Sequence, residues 1–193
     1  PDRFHSWEAE DYLVEPYTFV AKYEGGNPLA LDIFDPGCVI CMQSYRNQKS
    51  SGFFEKYNTV PMIYVIELPD GTPKFQNSDL IARYFHAANL LDTNYAAKIL
   101  DRLFTESDSD GINYQTAMTG MSAEDAEKTL QNWLKDFDAT AKEISELETA
   151  AHSEEVTEII SKVKNMVDNT VHAKGIPTSI YDGKKHNGLY KAN

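Results

Sequence analysis

Leu29-Ala30-Leu31-Asp32-Ile33-Phe34-Asp35-Pro36-Gly37-Cys38-Val39-Ile40-Cys41 is the stretch on which the reading of this chain turns. Its first six residues are apolar except for one acid, which suits a buried strand. Asp35-Pro36-Gly37 stops that strand with turn-forming residues. The two cysteines follow at once, and Cys41 to about Lys49 reads as helix, fading at Ser50-Ser51-Gly52. Cys38 then falls near the first turn of a helix. Unpaired backbone N–H groups and the helix dipole favour a thiolate over a thiol there.

Cys38 and Cys41 are the only cysteines in 193 residues. A bridge across so short a loop removes little chain entropy, so the pair is read for its chemistry. Cys38, the exposed N-terminal cysteine, is the expected nucleophile. Cys41, one helical turn later and more buried, is expected to resolve the mixed disulfide. A CxxC is also half of a zinc site, which needs two further ligands. His5, His86, His152, His172 and His186 show no ligand-like spacing, so neither a metal nor another cofactor is expected.

Two other features bear on the pair. Gly175-Ile176-Pro177-Thr178 places a proline at the entry to a strand, a position that suits a cis X–Pro bond. Asp32 sits inside an apolar strand, where a carboxylate is costly unless partnered and where burial raises its pKa. Lying six residues before Cys38, it is a candidate acceptor for the Cys41 proton. A solvent-facing Asp32 and an ordinary strand-opening Pro177 remain the plainer alternatives.

Working outward, Val60–Leu68 is the strongest strand signal, ending at Pro69-Asp70-Gly71. Tyr17–Tyr23 is a weaker candidate strand. From about residue 78 to residue 173 the periodicity is helical. Leu80, Ile81, Tyr84 and Phe85 share one face, and Ile99, Leu100, Leu103 and Phe104 share another. Residues 106–121 read as a polar loop. Ser122 with Asp125 resembles a capping box, Ser153 a further N-cap, and Gly175 a helix stop. Strands return at Thr178–Tyr181 and His186–Tyr190 around an Asp182-Gly183 turn. The block of helices looks inserted into a smaller α/β unit, with residues 1–77 and 174–193 forming one domain and 78–173 the other.

Apolar residues make up 41% of the chain, enough for a real core. The net charge of -12 disfavours nucleic acid and anionic membrane surfaces as partners. No stretch approaches the roughly 20 apolar residues of a membrane span. The chain opens on Pro1 without a signal-like segment, which fits a mature form from which a leader has been removed.

With these residues in hand, the segment 31–41 resembles the active-site segment of the thioredoxin superfamily, including the acid six residues before the first cysteine. Gly175–Thr178 resembles that family's cis-proline loop. The helical block resembles the bacterial Dsb-type oxidoreductases, DsbA-like with DsbC and DsbG as cousins. The resemblance covers the architecture of about residues 28–190, with motif identity confined to the two short segments. It implies an α/β thioredoxin-like fold with a large inserted helical domain. It also implies dithiol–disulfide exchange with protein substrates, a redox partner protein, and a periplasmic or extracellular location. Cys38, Cys41 and Asp32 would then be catalytic. Ile176, Pro177, Val39 and Ile40 would contact the substrate.

The chain departs from the family in two ways. Val39-Ile40 contains none of the His, Pro or Gly common between family cysteines, and Asp35 opposes a thiolate at Cys38. The chain also ends soon after its last strand, where the family usually has another helix. Either this form is truncated or residues 1–24 cover that sheet face. A peptide-binding or chaperone module with little redox turnover, and a cytosolic reductase, are the rival readings.

Overall fold

The computed structural model describes residues 5–192. A four-stranded sheet runs in the order β2-β1-β3-β4, with β1 at Leu29–Phe34, β2 at Asn58–Ile63, β3 at Thr178–Tyr181 and β4 at Lys184–Asn187. β1 and β2 are parallel, Leu29 to Phe34 lying opposite Asn58 to Ile63. β3 runs antiparallel to β1, with Ile33 opposite Thr178, and β4 antiparallel to β3. Between β1 and β2 the chain forms α1 (Val39–Ser50) and the short α2 (Phe53–Lys56). Six helices then separate β2 from β3: α3 (Ser78–Leu91), α4 (Thr93–Thr105), α5 (Tyr114–Thr119), α6 (Ala123–Asp136), α7 (Ala141–Ala151) and α8 (Glu154–Met166).

The alternation of β1 sorts the core into two parts. Ala30 and Phe34 face α1 and the helical block, where Tyr45, Ile81, Tyr84, Phe85, Leu100, Leu103 and Phe104 are buried with them. Cys38, Cys41 and Met42 belong to this same continuous cluster, so the helices share a core with the cysteine segment. Leu31 and Ile33 face the other way, against Val60, Met62 and Ile180. That face is closed by Val163, Val167 and Val171 at the end of the helical block and by Ala9 and Tyr12 near the N-terminus. The N-terminal segment therefore does help to cover the second sheet face.

Several local expectations are corrected. The strand expected over Val60–Leu68 is β2 alone, because beyond Ile63 the chain turns away. The Ile66 N–H donates to the Asp35 carboxylate, and residues 66–74 fold back through Leu68 N–H to Thr72 O and Lys74 N–H to Ile66 O. Tyr17–Tyr23 is irregular, tied to β2 by Val20 N–H donating to Thr59 O. The loop 106–121 contains α5, capped by Asn113, whose side chain accepts the Thr116 N–H. Gly175 does not stop a helix: the π-helical turn after α8 ends at Val171, and His172 takes the left-handed conformation at φ 53°. The final strand is Lys184–Asn187 rather than His186–Tyr190. Beyond β4 the chain crosses α1, where Tyr190 N–H donates to Ser44 Oγ and Asn47 Nδ2 to Tyr190 O.

Ser122 and Ser153 cap α6 and α8 as expected, accepting the N–H groups of Asp125 and Val156. The full reciprocal capping box lies instead between Thr140 and Glu143, at the start of α7.

Candidate active site

The Asp35-Pro36-Gly37 turn delivers Cys38 as the N-cap of α1. Cys38 Sγ accepts the Cys41 N–H at 3.4 Å, doing the work that an Asn or Ser oxygen does at an ordinary cap. This is why the helix begins two residues before the point expected from sequence. The two thiols are free and the pair sits 3.0 Å apart.

Their environments push the two sulfurs in opposite directions. The Cys41 thiol, donating to Cys38, is the main cause that brings the Cys38 pKa down to about 6. The main-chain N–H groups of Cys41 and Ile40 add to this, while burial and the Asp35 charge oppose it. Burial, first of all, pushes the Cys41 thiol up, followed by its role as donor to Cys38 and by the Cys38 charge. The arrangement is a thiolate at Cys38 next to a proton held on Cys41. Cys38 itself is less open than its expected role suggests, at 8% exposed against 2% for Cys41. The exposed residues are Val39 at 62% and Ile40 at 55%, two apolar side chains standing in solvent beside the dithiol.

The Ile176–Pro177 peptide bond is cis. Carrying the β1–β3 register one residue past Ile33 and Thr178 puts Pro177 opposite Phe34, at the end of β1 from which the cysteine turn departs. Ile176 packs against both halves of the core.

Asp32 is buried on the α1 side of the sheet. Its Oδ1 accepts from Gln48 Nε2 at 3.1 Å and from Ser179 Oγ at 2.7 Å. Burial raises its pKa to about 6, against the pull of those two donors. Gln48 is two helical turns beyond Cys41, so Asp32 is anchored along α1 rather than on a sulfur. The acid beside the sulfurs is Asp35, whose side chain is fully buried. Its Oδ1 accepts the Gly37 N–H at 2.8 Å and the Ser78 hydroxyl, and its Oδ2 accepts the Ile66 N–H at 2.8 Å.

Gln115 is a residue that sequence reasoning missed. From α5 its Nε2 donates to both Pro36 O and Cys38 O, each at 2.8 Å. Ser78 and Gln115 both belong to the helical block, which therefore holds the cysteine turn from two sides. Gln115 lies in a stretch read as a solvated loop. The only local signal was Asn113, an N-cap residue with a helix behind it. Nothing in the spacing announced the contact with a turn 77 residues earlier.

Among the described residues no group of three or more His, Cys, Asp or Glu is placed to hold a metal ion. No helix among them is long and apolar enough to cross a membrane.

No protein-family model matches the chain, and no curated protein sequence does. Solved structures do. The thiol-disulfide exchange protein alpha-DsbA2 from Wolbachia pipientis is 13% identical with a TM-score of 0.63, the match covering 94% of this chain and 85% of that one. The catalytic domain of Proteus mirabilis ScsC is 10% identical with a TM-score of 0.63, covering 94% and 87%. The cytosolic disulfide reductase DsbM from Pseudomonas aeruginosa is 13% identical with a TM-score of 0.56, covering 81% and 87%. At these identities the likeness concerns the fold: a thioredoxin-like α/β sheet with the inserted helices of the Dsb type.

Proposed function

For a chain with the fold of the Dsb-type thioredoxin-superfamily proteins, we propose a protein thiol–disulfide oxidoreductase working through Cys38 and Cys41. One observation carries the reading: two free thiols 3.0 Å apart, one brought down to about 6 and the other held protonated. Such a pair divides the labour of exchange. The Cys38 thiolate attacks a substrate disulfide, forming a mixed disulfide and releasing a substrate thiolate. Cys41 loses its proton, attacks Cys38 Sγ and releases the second substrate thiol, leaving the Cys38–Cys41 disulfide. The reverse sequence oxidises a substrate.

The proton leaving Cys41 starts from a buried position. We assign its acceptance to Asp32, whose pKa of about 6 suits transfer near neutrality. Gln48 and Ser179 both donate to Oδ1 of that carboxyl, so we assign the proton to Oδ2. We place an extended substrate segment against the exposed Val39 and Ile40 and the half-buried Ile176, next to the buried Pro177. The reading treats residues 78–173 as an inserted domain and 1–77 with 174–193 as the thioredoxin-like domain. It also places the protein in an oxidising compartment, periplasmic or extracellular, where a disulfide persists.

Insulin reduction in the presence of dithiothreitol tests the proposal. The wild type is expected to accelerate precipitation and Cys38→Ser to be inert. Cys41→Ser is expected to accumulate a mixed disulfide through Cys38. Equal rates for wild type and Cys38→Ser would refute it.

A further inference from the structure

The carboxyl of Asp35 is buried in full, has both oxygens engaged, and is absent from the exchange chemistry above. Its position is specific. One oxygen accepts the N–H of Gly37, the residue before Cys38, and the Asp35 carbonyl accepts the Cys38 N–H at 3.1 Å. Three groups donate to the side chain: Gly37 N–H from the cysteine turn, Ile66 N–H from the segment after β2, and the Ser78 hydroxyl from the start of α3. The two N–H groups can only donate, and they favour the anion. Burial works the other way and leaves the Asp35 pKa above the ordinary carboxylate value.

We propose that Asp35 tunes the redox poise of the Cys38–Cys41 couple, acting as a buried anion that works against the thiolate of the reduced form. The inference rests on the dithiol being redox-active. Reduction of the disulfide by two glutathione molecules delivers two electrons and two protons. One proton stays on Cys41, one is released, and Cys38 remains a thiolate while glutathione disulfide forms. The disulfide is neutral and the reduced pair carries one negative charge. A carboxylate beside it therefore disfavours reduction and makes the dithiol the better electron donor. Linkage is reciprocal: when Cys38 becomes a thiolate, Asp35 binds its own proton more tightly.

The Cys41 S–H has the largest influence on Cys38 and burial the largest on Cys41, and the Asp35 charge adds to these by raising the pKa of both. Lys74, on the segment that folds back after β2, favours the Asp35 anion, against the larger effect of burial. Ser78 on α3 is neutral. A neighbouring like charge shifts the ionisation of a thiol about tenfold or more.

The experiment equilibrates the full chain with glutathione buffers at pH 8 and titrates the Cys38 thiolate by its ultraviolet absorbance. For Asp35→Asn, the equilibrium constant for reduction should rise about tenfold, or about 30 mV, with a matching fall in the Cys38 pKa. Ser78→Ala removes a donor but keeps the charge. It should lose stability and leave both readings within twofold of wild type. An Asp35→Asn protein whose potential and thiol pKa stay within twofold of wild type, whatever its stability, overturns the proposal. Should that variant fail to fold, carbon-13 NMR of the wild-type Asp35 carboxyl decides. The proposal requires a higher pKa in the dithiol than in the disulfide form, and equal values overturn it. A wild type that forms no disulfide in any glutathione buffer would instead refute the oxidoreductase reading itself.

Discussion

Asp32→Asn should make the protein more stable at neutral pH, and the gain should vanish in acid. Both hydrogen bonds to this side chain, from Gln48 and Ser179, end on Oδ1. The asparagine oxygen can accept both, so the substitution removes the charge and keeps both hydrogen bonds. Burial lifts the Asp32 pKa from an ordinary 3.8 to about 6. The folded state therefore holds a proton that the unfolded chain has already lost between those values. Since ν_U − ν_N is negative there, stability falls as pH rises from about 4 to about 6 and stays lower above it. Integrated to pH 7, the shift is worth about 3 kcal/mol; at pH 4 it is worth about 0.5 kcal/mol. Urea unfolding of the two proteins at pH 4 and pH 7, with m-values compared, measures the difference. A gain of similar size at both pH values, or a loss at pH 7, would show that the carboxylate is not under the desolvation strain argued here. If Asp32 also takes the Cys41 proton, the stabilised variant should resolve mixed disulfides more slowly at pH 7.

Other expectations concern the core and the turn. His86 is buried on α3 with neither ring nitrogen hydrogen-bonded among the described residues, and burial brings its pKa down to about 4. The unfolded chain binds its proton first, so stability falls by about 2 kcal/mol between pH 7 and pH 5. His86→Leu should flatten that stretch of the stability profile. Gly37→Ala would set a β-carbon 2.3 Å from Phe75 Cβ and 2.8 Å from Ser78 Oγ. Relief requires backbone movement, and a loss of about 1–3 kcal/mol in urea unfolding is expected; an unchanged midpoint would count against this packing. The rate of iodoacetamide alkylation in Cys41→Ala should titrate at a higher pH than that of Cys38 in the wild-type dithiol, for which a midpoint near 6 is expected, because the variant loses the S–H donor. Identical midpoints would show that Cys41 does not stabilise the thiolate.

Much of the fold was legible because its signals are local. Leu29–Phe34 is apolar, short and closed by Asp35-Pro36-Gly37, and it is β1 to the residue. Ser122 and Ser153 announce their helices because a cap is decided within four residues. What escaped was set by distant partners. Val60–Leu68 has the composition of one long strand, yet it ends at Ile63, and the Ile66 N–H bonds to a carboxylate 31 residues earlier in place of a strand partner. Gly175 looked like a helix stop, but the chain takes its left-handed residue three positions sooner, at His172, once Val171 has reached the second sheet face.

The site divides along the same line. The two cysteines and the Ile176-Pro177 step are motifs, readable from spacing. That Asp35 opposes the Cys38 thiolate is also legible, three residues away in the same turn. Where Asp32 is anchored is not, because a strand position fixes a face and not a partner. Pleat and turn separate them. Asp32 points with Ala30 and Phe34 toward α1 and meets Gln48 two turns along that helix. Asp35 lies past the end of β1, where the turn bends its carboxyl back onto the Gly37 N–H. One acid is thus anchored along α1, and the other inside the cysteine turn. The helical block also holds that turn. Ser78 reaches the Asp35 carboxyl from α3, and Gln115 takes the Pro36 and Cys38 carbonyls from α5. Gln115→Ala would strip both carbonyls of their side-chain donor and leave every charge in place. It should therefore lower stability by about 1–3 kcal/mol while the Cys38 pKa stays near its wild-type value. If the thiol pKa instead moves by as much as in Asp35→Asn, the turn's geometry, and not the carboxylate's charge, governs the sulfur.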